Sequence, residues 1–192
     1  MAEVPSTFRL RPGTTAPDFT LPDGSGKSHS LNDSRGERAT VIIFACNHCP
    51  FVIHLASAIG QVAKDYHDKG VRFIAINSND VANYPADAPK LMTVFASKYG
   101  WDFPYLYDES QDVAKSYAAA CTPDFFVFDH DLHLTYAGQF DDSRPGNSNP
   151  INGTDLRAAL DANVSGGPGP TKNWPSTGCN IKWKRGNAPE YF

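Results

Sequence analysis

The residues of this chain best suited to chemistry stand in one short run, Phe44-Ala45-Cys46-Asn47-His48-Cys49-Pro50. The run follows Ala39 to Ala45, an apolar, β-branched stretch with the length and character of a buried strand. After it, Val52, Leu55, Ala56, Ile59, Val62, Ala63 and Tyr66 recur at three- and four-residue steps, which is one face of a helix. Pro50 has no N–H and a fixed φ, so it fits the first helical turn and places Cys49 at the N-cap. A sulfur there faces unsatisfied backbone N–H groups and the positive end of the helix dipole. Such a setting lowers a thiol pKa below its free value of about 8.5. Cys49 is therefore read as a nucleophile, exposed enough to react, with His48 adding positive charge when protonated.

Cys46 lies three residues upstream and is the partner this reading gives Cys49. A disulfide needs Cα atoms within about 7 Å, whereas three extended residues span roughly 10 Å. The pair closes only if Asn47-His48 turns, which asparagine tolerates. Cys46 also fits a second description, an inert small hydrophobe on a buried strand. A C-x-x-C pair can equally be half of a zinc or iron–sulfur site, with His48 and His54 as further donors. A metal carrier or sensor built on Cys46, Cys49 and a histidine is thus the reading from another class. Against it, Cys121 and Cys179 are isolated and form no second pair, so thiol chemistry with no metal and no cofactor is preferred.

Composition narrows the function classes. The chain has 192 residues, 41% of them hydrophobic and 20% charged, with a net charge of -4. That charge gives no basic field for a nucleic-acid backbone. The opening residues carry Pro5, Pro12 and Pro17 and lack the apolar core of a secretory signal. The longest apolar run, Val41 to Cys46, falls far short of the roughly 20 residues a membrane helix needs. The expectation is a cytoplasmic protein without nucleic-acid or membrane partners. In a reducing compartment a C-x-x-C pair points to catalysis or metal binding rather than a structural bridge.

The elements that must position the cysteines follow from period and punctuation. Asp18–Leu21 and His29–Leu31 flank a turn at 22–26 as an N-terminal hairpin. Val71 to Asn77 is a second buried strand, making a right-handed β-α-β unit with the first. Helices are expected from Pro89 to Tyr99, Gln111 to Ala119 and Thr154 to Asn163. Further strands are expected at Phe103–Leu106, Phe125–Phe128 and Leu132–Ala137. The stretch SGGPGPTKNWPSTG reads as irregular. Together these predict a three-layer α/β domain with a mixed sheet at 14–165, an extension at 1–13, and an irregular tail at 166–192 packed on or near the domain.

The cysteine junction, the turn Cys121-Thr122-Pro123-Asp124 before Phe125-Phe126-Val127-Phe128, and the opening Ala16-Pro17-Asp18-Phe19-Thr20-Leu21 together resemble the thioredoxin superfamily. The branch they are most similar to is the peroxiredoxin-like one (alkyl hydroperoxide reductase/thiol-specific antioxidant, or redoxin), from about Thr14 to Asn163. The resemblance implies a thioredoxin-like fold, a cis Pro123 facing the active cysteine, and Thr122 presenting its backbone to substrates, with His48 beside them. It implies thiol–disulfide exchange on protein or small-molecule substrates, or antioxidant reduction of hydroperoxides. Two departures bear on this. Val52 stands where thioredoxins carry their second cysteine, and Cys46 stands where peroxiredoxins carry a threonine that orients peroxide. Arg144 is the candidate cation beside the thiolate, or else a surface arginine paired with Asp141 or Asp142. Cys121 and Cys179 are candidate resolving thiols, each of which also reads as a packing residue or bystander.

Overall fold

The apolar run Ala39–Phe44 forms β4, the middle strand of a five-stranded sheet. The computed structural model that shows this describes residues 3–167, 169–170 and 172–192. On one side β4 pairs in parallel with β5 (Val71–Asn77), which pairs in parallel with β6 (Tyr105–Tyr107). On the other side it pairs antiparallel with β8 (Asp124–Asp129), which pairs antiparallel with β9 (Leu134–Gly138). The sheet is therefore mixed, as expected.

Alternate residues of each strand point to opposite faces, and both faces are covered. Val41 and Ile43, Phe73 and Ala75, and Phe125 and Val127 pack against α2 (Pro50–His67), α3 (Pro89–Tyr99) and α5 (Thr154–Ser165). Ile42 and Phe44, Ile74 and Ile76, and Phe126 and Phe128 pack against Ala16, Phe19, the short α1 (Leu31–Ser34) and α4 (Asp112–Ser116). This gives three layers with the sheet in the middle. Gly60 lets α2 approach the end of α3, where a Cβ would stand 2.6 Å from the Tyr99 carbonyl oxygen. Among the described residues no helix is long and apolar enough to cross a membrane.

Two smaller sheets complete the chain. β2 (Thr20–Pro22) and β3 (Ser28–Ser30) form the N-terminal hairpin. The tail, read as irregular, instead contributes a strand, β10 (Thr177–Asn180). It lies between β1 (Glu3–Pro5) and β7 (Cys121–Thr122), antiparallel to both. Thr-Gly-Cys-Asn has no alternation of its own, and its backbone is fixed by partners far away in sequence. Pro168 and Thr171, within the stretch expected to be irregular, lie outside the described residues. Ile181 is buried in the core and Trp183 packs beside it, whereas Trp174 is 49% exposed.

Candidate active site

Cys49 is the N-cap of α2, with Pro50 opening the helix, and the Ile53 amide donates to its carbonyl at 2.9 Å. The thiol is pushed down to about 5. The largest cause is the Cys46 thiol, which hydrogen-bonds the Cys49 sulfur; burial opposes it, and Thr122, Cys179 and the Val52 amide add to it. One contact works the other way: in its protonated form Cys49 donates to the Thr122 carbonyl at 3.1 Å, a bond lost on ionisation. Cys46 is the complement of this. Acting as donor to the Cys49 thiolate, and buried, it is held well above 9.0. Its sulfur is also 3.5 Å from the Thr122 hydroxyl. The two sulfurs thus form a split pair, one ionised and one protonated at neutral pH.

Exposure differs from expectation. Cys49 is 0% and Cys46 1% exposed, so the nucleophile is closed over rather than open to solvent. It is not sealed in purely apolar packing, because its neighbours are two thiols, the Thr122 peptide and the helix amide at Val52. The Thr122–Pro123 bond is cis, as the resemblance implies.

The turn between the cysteines is held by a residue the sequence reading missed. Asp87, fully buried at the end of a short 3-10 turn (Pro85–Asp87), accepts from the Asn47 amide at 2.8 Å and the His48 amide at 3.2 Å through Oδ1. Its Oδ2 binds His48 Nδ1 at 2.6 Å and Asn79 Nδ2 at 2.8 Å. The Tyr105 hydroxyl donates to the Asn47 side chain at 3.1 Å. Asp87 raises the pKa of His48 through this bond, against burial. Tyr84 stacks on the His48 ring at 5.7 Å. The signal available in sequence was the polar run Asn77-Ser78-Asn79-Asp80 straight after a buried strand, at the carboxyl end of a parallel pair where sites form.

Cys46 Sγ, His48 Nδ1 and Asp87 oxygen lie within 4.8 Å of one another, a set of donors that could face an ion. Each Asp87 oxygen already accepts two hydrogen bonds, so an ion would compete with those that shape the turn. His54 and Cys49 are not part of the set; His54 Nε2 sits 3.3 Å from the Ser143 hydroxyl.

The other candidates separate clearly. Cys179 reaches the site: its thiol hydrogen-bonds the Cys49 sulfur and is pushed up to about 12, chiefly by burial and then by that bond. Cys121 is fully buried, donates to the Pro123 carbonyl at 3.6 Å and is held well above 9.0 by burial, which fits a packing residue. Arg144 makes no hydrogen bond to Cys49 among the described residues. Its guanidinium donates to the carbonyls of Asp141 (2.8 Å) and Ser143 (2.7 Å) and to Gln139 Oε1 (2.5 Å), not to the carboxylates of Asp141 or Asp142. A surface cleft bordered by His29, Arg35, Lys64, Arg72 and Phe103 lies at the opposite end of α2 from the cysteines.

Fold and site together define a thioredoxin-fold thiol protein. The chain belongs to the Redoxin family, whose model matches residues 11–154. A solved structure of an uncharacterized conserved protein from Geobacillus kaustophilus is 52% identical, covering 96% of this chain and 97% of that one with a TM-score of 0.93. A putative peroxiredoxin from Mycobacterium tuberculosis is 34% identical over 113 residues, which are 59% of this chain and 67% of the relative. A thiol-disulfide oxidoreductase ResA from Geobacillus thermodenitrificans is 29% identical over 120 residues, 61% of this chain and 63% of the relative.

Proposed function

We propose that this protein is a thiol–disulfide oxidoreductase acting through Cys49 and Cys46. The Cys49 thiolate attacks one sulfur of a substrate disulfide, expelling the other as a thiolate and leaving a mixed disulfide. The Cys46 sulfur then attacks Cys49, forming the Cys46–Cys49 bridge and releasing the second half of the substrate, which takes up the Cys46 proton. Two electrons pass from protein to substrate, and an external dithiol reverses the exchange. One observation carries this reading, the split pair at the helix N-terminus. The lowered pKa of Cys49 makes it ionised at neutral pH and a good leaving group when the bridge is reduced. The ResA relative supports the same assignment. Substrates are protein or small-molecule disulfides, and a cytosolic reducing environment would keep all four cysteines as thiols. Because Cys49 is closed over at rest, local opening at the site precedes attack.

The test uses the reduced full chain with glutathione disulfide. The expected result is loss of two protein thiols and release of two glutathiones per chain, and no reaction in Cys49→Ser. An unreactive wild type, or a Cys49→Ser variant that reacts equally fast, defeats the reading.

Hydroperoxide reduction is the second reading, favoured by the putative peroxiredoxin relative. An antioxidant role rests on it. Cys49 would pass through a sulfenic acid, and a neighbouring thiol would expel water as the disulfide forms. With Cys46 in the place of the orienting threonine and Arg144 bound elsewhere, its test is stopped-flow oxidation by hydrogen peroxide. A rate no higher than that of a small thiol removes it.

A further inference from the structure

Beside Cys46, a second thiol belongs to the buried cluster around Cys49, opposite the Thr122 whose carbonyl Cys49 contacts, and it comes from the other end of the chain. β10 runs antiparallel to β7 with Cys179 opposite Thr122 and Asn180 opposite Cys121. Cys46, Cys49 and Cys179 belong to one buried cluster, and the Thr122 hydroxyl donates to the Cys179 carbonyl at 3.5 Å. Such close approach depends on Gly178, where a Cβ would stand 2.0 Å from the Thr122 carbonyl oxygen. The tail is anchored on both sides of the cysteine. The Ser176 hydroxyl donates to the Gly138 carbonyl at 2.6 Å, the Ile181 amide to the Ala120 carbonyl at 3.0 Å, and the Lys182 amide to Asn79 Oδ1 at 2.8 Å.

We propose that Cys179 is a second resolving thiol for Cys49, so that the oxidised protein can hold a Cys49–Cys179 disulfide that staples β10 onto the site. The proposal rests on Cys49 being the nucleophile of disulfide exchange. It gives the strand two roles, covering the thiolate at rest and supplying the sulfur that clears a mixed disulfide. The turn that joins Cys46 to Cys49 has its amides held by Asp87. Cys179 arrives on a separate strand, outside that turn. The step balances as before: Cys179 sulfur bonds to Cys49 sulfur, the substrate sulfur leaves, and the Cys179 proton goes to it. Lys182 assists by lowering the Cys179 thiol against the effect of burial. Its ammonium is held by the Asn180 carbonyl at 2.8 Å and Oδ1 at 2.9 Å.

The experiment treats reduced full-length Cys46→Ser with glutathione disulfide and maps the products by peptide mass spectrometry. The expected product is a Cys49–Cys179 bridge with two glutathiones released per chain. Arrest at a Cys49–glutathione adduct overturns the proposal yet leaves the proposed function standing, provided the wild type still closes Cys46–Cys49. A wild type unreactive at Cys49 overturns both. Gly178→Ala in the Cys46→Ser background keeps every remaining thiol but pushes the strand away from Thr122. It should slow bridge formation about tenfold and speed alkylation of Cys49 by a similar factor. Unchanged closure would refute the role of the strand. Should Cys46→Ser fail to fold, wild type and Cys179→Ser are mapped instead, and absence of the Cys49–Cys179 peptide from oxidised wild type overturns the proposal.

Discussion

Replacing Cys46 by alanine should raise the pKa of Cys49, because the Cys46 thiol is the largest single stabiliser of the Cys49 thiolate. A hydrogen bond to a charged group is worth about 1.5–3 kcal/mol. At about 1.4 kcal/mol per unit, that is roughly one to two pH units. The wild-type midpoint near 5 should therefore move to between about 6 and 7. Thiolate absorbance in the ultraviolet against pH reads this directly. No other cysteine obscures it, since Cys46 and Cys121 lie well above 9.0 and Cys179 near 12. Cys46→Ser keeps a donor and should shift less. Stability must follow the same titration. Cys49 is more acidic folded than unfolded, so its contribution is fully present above the unfolded value of about 8.5 and is lost as pH falls through the folded midpoint. A Cys46→Ala midpoint within about 0.3 unit of wild type would refute the split-pair argument, as would a wild-type midpoint at the free-cysteine value.

Three further outcomes test the supporting structure. Asp87→Ala leaves the amides of Asn47 and His48 and the Asn79 side chain without their acceptor and should cost roughly 4 kcal/mol in urea unfolding. A loss below about 1 kcal/mol would mean the turn is held by something else. Asp124 is raised to about 7 by burial, against hydrogen bonds from Ser176 and the backbone of Ala120 and Phe125. The folded chain therefore binds the extra proton, and stability falls as pH rises from about 4 to 7. Asp124→Asn should remove that slope and gain roughly 4 kcal/mol at pH 8, with no such gain near pH 4; equal effects at both pH values would contradict it. Gly60→Ala should lower the melting temperature. The helix-propensity gain of up to about 1 kcal/mol is outweighed by a Cβ only 2.6 Å from the Tyr99 carbonyl oxygen, and a more stable variant would show that α2 and α3 can slide apart.

What could be read from the sequence was whatever local chemistry decides. β5 and α3 carry unambiguous periods and end where expected, at Asn77 and Tyr99. Pro50 fixed Cys49 at the helix cap, but the largest cause of its lowered pKa is the Cys46 thiol, and the helix amide at Val52 adds less than Cys46, Thr122 or Cys179. What could not be read depends on partners distant in the chain. The helix expected over 111–119 stops at Ser116, because the chain bends away with Ala118 in the left-handed region. Asp87 acts on a turn 39 positions before it, through bonds that no spacing rule announces. Burial of Cys49 was hidden for the same reason, since the strand beside it is the one the tail supplies. Arg144 was plausible by charge alone, and its own loop carbonyls claim it.

The small sheet at the site also sets an order of events in folding. The Ser176 amide donates to the Ser6 hydroxyl, 170 positions earlier, and β10, the strand beside Thr122, sits between β1 and β7. Contacts of such long range form late, after the local helices and the β4–β5 pair. A chain in which that strand has not docked leaves Cys49 without its cover and without the Cys179 contribution to its acidity, while Cys46 and the helix amide at Val52 remain beside it. Joining the two ends of the chain is thus also what closes the reactive sulfur off from solvent oxidants.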